Sequence, residues 1–258
     1  MRDDCPIWAP PLLAVQFLTR IPVPWLDRLT PAQVQAGLTS AVGWFPLVGA
    51  LVGMATAAVI LLAEGLWPRA VAVVIALAVE ARLTGAFHED AVADFCDAFG
   101  GGVTADQVRT IMKDSRVGTY GALGLGLAVG LRAVLLIGLP TELIFITLLA
   151  SACFGRLLVV IAMLVIPPAP AGTGLAKDIG GAVGWRHLAL AMLLAAPAMV
   201  PLALERPWAL AGAGAAAVLF LWWFRALLLR RIGGSTGDCL GFAAYAGQLF
   251  VLLAVAAR

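Results

Sequence analysis

"ELIFITLLASACFGRLLVVIAMLVI", Glu142–Ile166, carries only Glu142 and Arg156 as charges. At 1.5 Å of rise per residue, such a run matches a hydrocarbon layer about 30 Å thick. It reads as a membrane-crossing helix, and it is not alone. Apolar runs of comparable length lie at roughly 41–64, 69–87, 117–139, 187–204, 207–229 and 239–257, which makes about seven spans, with six to eight compatible. Composition agrees. Of 258 residues 62% are hydrophobic and 12% charged, and the mean hydropathy is +0.99. A water-soluble domain carries about 25% charged residues. The expected fold class is therefore all-α: a polytopic integral membrane helical bundle. It forms one domain over residues 1–258, with no linker or repeat to divide it.

Residues 12–23 are apolar but short, and "RIPVPW" interrupts them, so they read as an interfacial piece within an N-terminal segment, 1–40. The N-terminus lacks a small-residue cleavage pattern, so a cleaved signal peptide is not expected. Cys5, Cys96, Cys153 and Cys239 show no CxxC or zinc spacing and are expected as free thiols. A net charge of +2 gives no reason to expect a nucleic-acid partner.

The connections alternate in character. Those after the first, third and fifth spans are minimal. Residues 1–40, 88–116, 167–186 and 230–238 are long or polar. They put Arg2, Arg20, Arg28, Arg109, Lys113, Arg116, Lys177, Arg186, Arg230 and Arg231 on one face, against Arg69, Arg206 and Arg258 on the other. Lys- and Arg-rich short loops stay in the cytoplasm, so the polar loops are expected there. A transporter more often places its polar groups at the bilayer midplane, on broken helices. Chemistry gathered on one face fits a membrane enzyme that uses water-soluble substrates.

The 88–116 segment begins "HEDAVADFCDAFGGG" (His88–Gly102). On a helix, Asp90, Asp94 and Asp97 share one stripe. Three carboxylates so placed repel one another, and a hard divalent cation, Mg²⁺ or Mn²⁺, relieves that repulsion. Glu89 lies at the edge of the stripe and His88 on the opposite side. The plainer reading is a solvated acidic face paired with Arg109, Lys113 or Arg116. Next, "RTIMKDSRVGTYG" brings Arg109, Lys113, Asp114, Ser115, Arg116 and Thr119 to the mouth of a span. These residues suit phosphate oxygens, though basic residues at that place also satisfy topology alone. "RRIGGSTGDCLG" (Arg230–Gly241) offers Arg231, Gly234 and Thr236 to a phosphate and Asp238 to a metal, or is a simple turn; it is not a Walker A sequence. "PPAPAGTGLAKDIGG" (Pro167–Gly181), with Lys177 and Asp178, reads equally as a substrate cover or a connector. Glu80, Arg82 and Arg156 are charges inside apolar spans, functional candidates by default.

The combination H-E-D-x3-D-x2-D plus I-M-K-D-S-R-x-G-T resembles the cobalamin synthase family, the adenosylcobinamide-GDP ribazoletransferases. "FLTRIPVP" (Phe17–Pro24), "GWFPLVGALVG" (Gly43–Gly53) and "RRIGGSTGDCLG" extend the resemblance, in order, over most of the chain. It implies a Mg²⁺-dependent enzyme of the bacterial inner membrane. The reaction would join adenosylcobinamide-GDP to α-ribazole or its 5′-phosphate, giving adenosylcobalamin or its phosphate plus GMP. On that reading Glu89, Asp90, Asp94 and Asp97 hold the metal. Asp94, His88 and Lys113 are catalytic, with His88 or an Asp as base. Arg109, Lys113, Ser115, Arg116, Arg231, Gly234, Thr236 and Asp238 bind substrate. The lipid bilayer is a partner, and membrane packing allows a homo-oligomer. The chain departs from the family pattern at Ala91 and Ala98, where glycine is usual, and at Tyr245 and Gln248, where acids are usual. Two other classes were weighed: a CDP-alcohol-type phosphotransferase on a lipid substrate, whose D-G-x2-A-R pattern is missing after Asp90, and a membrane transporter.

Overall fold

Residues 5–170, 179 and 181–257 are described by the computed structural model. Lys177, Asp178 and Arg2 lie outside them. The chain is helical: α1 (Ala9–Leu18), α2 (Pro31–Ala41), α3 (Phe45–Ala63), α4 (Arg69–Thr84), α5 (Phe87–Gly101), α6 (Ala105–Ile111), α7 (Thr119–Gly138), α8 (Thr141–Val165), α9 (Trp185–Glu205), α10 (Pro207–Ile232) and α11 (Gly237–Ala256).

Six helical stretches are long and apolar enough to cross a bilayer: α2–α3 taken together, α7, α8, α9, α10 and α11. The seventh crossing is broken. α4 has 16 residues, and α5 departs from it at 90°; we place α5 outside the spanning segments, at the polar end of the bundle. The break sits at Gly85 and Ala86, both left-handed at φ +72° and +55°. Glycine adopts that conformation freely; alanine is held there against a steric penalty. The Ala86 N–H donates to Ala81 O at 2.7 Å, and the Arg20 N–H to Leu83 O at 2.7 Å, so the stretch after α1 clasps the bend.

α8 is the central element: 72% of its apolar window is buried, against 17% for α7 and 22% each for α9 and α10. Its burial depends on glycine. A Cβ on Gly49 or Gly53 of α3 would strike the α8 backbone at Ala152 or Leu148. On the other side, a Cβ on Gly247 of α11 would lie 2.9 Å from Gly155 Cα of α8. Small residues at a four-residue repeat let helix backbones meet, as lipid-embedded packing requires.

The structure corrects one element at the N-terminus. Residues 31–41 are helical and run through a 3₁₀ turn at Val42–Trp44 into α3. Thr30 and Gln33 form a capping box, with Thr30 N–H to Gln33 Oε1 at 3.0 Å and Gln33 N–H to Thr30 Oγ1 at 3.3 Å. The polar residues of α2 hide it from an apolar-run criterion, although T-P-A-Q is a start signal.

Candidate active site

α5 meets the start of α11 where Ala91 packs against Gly241; a Cβ on that glycine would overlap the Ala91 methyl. This contact sets Asp238, in the first turn of α11, opposite the acidic stripe. The Asp94 carboxyl is half-buried and pushed up to about 6, by burial first and then by the negative charges of Asp90, Asp238 and Asp97. Asp90, Asp94 and Asp238 thus share one field, which the stripe alone did not reveal.

The other two expected metal ligands have different partners. Asp97 is buried. Its Oδ2 accepts the Gly118 N–H at 2.6 Å and its Oδ1 the Gly121 N–H at 2.7 Å. It therefore caps the N-terminus of α7 from a neighbouring helix, satisfying donors that a helix start leaves open. A Cβ at Gly118 or Gly121 would collide with this carboxylate, so both glycines are required. Glu89 turns inward, 4.0 Å from Arg132 Nη1.

Beside the trio opens a cavity of about 310 Å³. Asp238, Lys113, Arg109 and Thr236 form its polar part. Phe17, Phe45, Phe87, Val159 and Met163 make the wall, and His88 and Arg156 also line it. The aromatic rings form a chain: Phe17 stacks on Phe45 at 5.6 Å, meets Phe87 edge-on at 5.4 Å, and Phe87 meets His88 at 5.3 Å. His88 and Arg156 are buried, with Arg156 Nη2 3.4 Å from His88 Nδ1. A guanidinium only donates, so Nδ1 accepts and the imidazole is neutral with its proton on Nε2. Its basic nitrogen faces a permanent cation. To act as the expected base, His88 would have to give up this contact with Arg156.

Most of the expected phosphate-binding arginines serve the scaffold. Arg109 donates to Asp106 at 3.0 Å and to Ile232 O at 3.3 Å. Arg231 donates to Gly102 O and lies over the Phe99 ring. Together they tie the end of α10 to the α5–α6 corner. Arg116 is exposed and grips Asp114 in a two-pronged pair, Nη2 to Oδ2 at 2.6 Å, which holds the Asp114 carboxyl down at about 2. Ser115 is exposed. Thr236 caps α11, accepting the Cys239 N–H at 3.3 Å. Gly234, at φ +158°, lies against the Pro167–Ala169 backbone, where Ser235 N–H donates to Pro167 O at 2.8 Å. Lys113 lines the cavity and forms no ion pair among the described residues.

A charged cluster lies deeper, of which the sequence reading marked Glu80 but missed Arg132. Arg132 of α7 pairs with Glu80 of α4 at 2.8 Å, both buried, and Thr56 Oγ1 donates to Glu80 at 2.6 Å. Tyr245 lies under the Arg132 guanidinium, 5.8 Å from ring centroid to Cζ, so one of the two departures on α11 contributes an aromatic face to this cluster. Arg132 was discoverable as an ionisable residue inside an apolar run.

Among the described residues, no group of three or more His, Cys, Asp or Glu side chains is placed to hold a metal ion by itself. Carboxylate oxygens are nevertheless the donors Mg²⁺ prefers, and it is commonly held by one or two carboxylates, with substrate phosphates and waters completing its shell. Asp238 on the cavity wall, with Asp90 and Asp94 on the helix packed against it, supplies that donor type for such a shared shell.

A family model described as cobalamin-5-phosphate synthase matches residues 10–256. A relative from Leptothrix cholodnii is 38% identical, over 92% of this chain and 93% of its own. One from Vibrio vulnificus is 37% identical over 95% and 94%, and one from Bradyrhizobium diazoefficiens 37% over 95% and 92%. All three are named adenosylcobinamide-GDP ribazoletransferase. No solved structure matches.

Proposed function

The chain belongs to the cobalamin-5-phosphate synthase family, and from that premise we propose how its residues carry out its adenosylcobinamide-GDP ribazoletransferase activity, the final step of cobalamin synthesis. The observation that carries the proposal is the contact of Ala91 with Gly241, which sets Asp238 of the cavity wall against the helix that bears Asp90 and Asp94.

Asp90, Asp94 and Asp238 would hold Mg²⁺, replacing the sequence set of Glu89, Asp90, Asp94 and Asp97. When bound, the cation neutralises charge on the diphosphate of adenosylcobinamide-GDP and supports the departing phosphate. Lys113, which lines the cavity with Asp238 and forms no ion pair among the described residues, steadies non-bridging oxygens. The ribose 3′-hydroxyl of the acceptor attacks the phosphorus nearer cobinamide. The new O–P bond forms as the bond to the GMP oxygen breaks. The hydroxyl proton passes to a carboxylate oxygen of the acidic cluster as the new bond forms. Arg109, Arg231, Thr236 and Gly234 act on this site by fixing the loops that frame it. The whole chain is one transferase unit, its polar face directed to the cytoplasm on the Lys/Arg asymmetry.

The test is GMP release by the purified protein in lipid, given adenosylcobinamide-GDP and acceptor, with Mg²⁺ or with EDTA. GMP and a cobalamin product are expected only with Mg²⁺. Undiminished GMP release in EDTA would overturn the metal assignment.

A further inference from the structure

We propose that Arg156, oriented by His88, is the residue that receives the 5′-phosphate of the acceptor. This rests on the functional reading above and assigns a second anion subsite within the same cavity.

Arg156 is 1% exposed. Its contacts are with neutral groups: Nη1 with Ala152 O and Nη2 with His88 Nδ1, each at 3.4 Å. Nε is buried without a partner. No carboxylate lies within ion-pair distance among the described residues. A buried guanidinium with an unused donor is costly unless an anion completes it. Arg132, the other fully buried arginine, also leaves its Nε unpartnered, but its terminal nitrogen is paired with Glu80 at 2.8 Å, whereas no terminal nitrogen of Arg156 meets a carboxylate among the described residues. Arg156 also lines the cavity, so an incoming ligand can reach it.

The ligand follows from the walls. The Phe45–Phe17–Phe87 ring chain ends at His88, which touches Arg156. A flat heteroaromatic base has faces to stack on there, and a phosphate borne on its ribose meets the guanidinium, which binds phosphate oxygens in a two-pronged fashion. The acceptor's phosphate is not consumed, so it needs a cation apart from the reacting diphosphate. Of the basic residues near the cavity, Arg109, Arg116 and Arg231 are engaged by the protein. Lys113 stands with Asp238 at the polar part of the cavity and goes to the diphosphate. Arg156 remains. Its position inside an apolar span is explained by the ligand it awaits.

The experiment compares both acceptors, α-ribazole and α-ribazole 5′-phosphate, in wild type, Arg156→Gln and Arg156→Lys. Two quantities are read: the ratio of kcat/KM between the acceptors, and direct calorimetric binding of each to the full-length protein in lipid, without donor and in EDTA. Wild type is expected to bind the phosphorylated acceptor more tightly, and Arg156→Gln to reduce the preference about a hundredfold, as for loss of a buried charge-assisted contact. Arg156→Lys, which keeps the charge that balances Glu80 and Glu89, should fold as wild type and lose part of the preference. Equal binding of the two acceptors by wild type overturns the proposal. So does an unchanged ratio in both variants with a raised KM for adenosylcobinamide-GDP, which would assign Arg156 to the diphosphate. Absence of any GMP from wild type would instead refute the functional reading itself.

Discussion

The two roles available to Asp97, metal ligand by its position on the stripe and helix cap by its contacts, are separated by one substitution. Asp97→Asn keeps one accepting oxygen and turns the other into a donor aimed at a backbone N–H. One charge-assisted hydrogen bond is lost, about 1.5–3 kcal/mol when the deprived group is buried. Loss of the negative charge at the start of α7 adds about 0.3–1 kcal/mol. The sum is roughly 3 kcal/mol, or about a hundredfold in the folding equilibrium. α7 buries only 17% of its apolar window, so few other contacts compensate at that end. The assay is a reversible denaturant titration in mixed micelles, beside the Mg²⁺ dependence of GMP release per folded molecule. The expected result is a large loss of stability with an unchanged Mg²⁺ requirement. Wild-type stability combined with a tenfold higher Mg²⁺ requirement would refute the cap and restore Asp97 to the metal.

Asp94→Asn should lower turnover by about 10²-fold or more while the protein stays folded, and near-normal turnover would remove Asp94 from the site. The Asp94 carboxyl is raised from 3.8 to about 6 in the folded, metal-free protein, so its contribution to stability is full below 3.8 and is lost as pH rises through 6. Unfolding in EDTA should show that window in wild type and lose it in Asp94→Asn; an identical pH profile would contradict the shared field. Lys113→Ala should raise KM for adenosylcobinamide-GDP, whereas Arg116→Ala, exposed and paired with Asp114, should change it little; steady-state kinetics on both decide. Glu80→Gln should cost about 3–5 kcal/mol by stranding Arg132, and a cost below about 1 kcal/mol would show that Glu89 or water already serves that guanidinium.

The primary structure by itself determined the membrane class, most of the long apolar helices and the acidic helix after His88, because apolar run length and helical periodicity are local properties. It also carried the family resemblance, since "HEDAVADFCDAF" and "IMKDSRVGT" are contiguous. It marked Arg156 as unusual without giving it a role. What tertiary structure alone decided is which of the clustered charges face one another. Asp90, Asp94 and Asp97 are equivalent on a helical wheel, yet the packing of α5 on α7 turns Asp97 into a cap, and Ala91 against Gly241 brings in Asp238 from a helix about 140 residues away. Arg109 and Arg231 looked like substrate ligands until the carbonyls of Ile232 and Gly102 appeared beside them. The reason is physical: periodicity reports the direction of a side chain around its own helix, whereas a partner is set by which helices touch, and in this bundle that is governed by glycines that carry no charge at all.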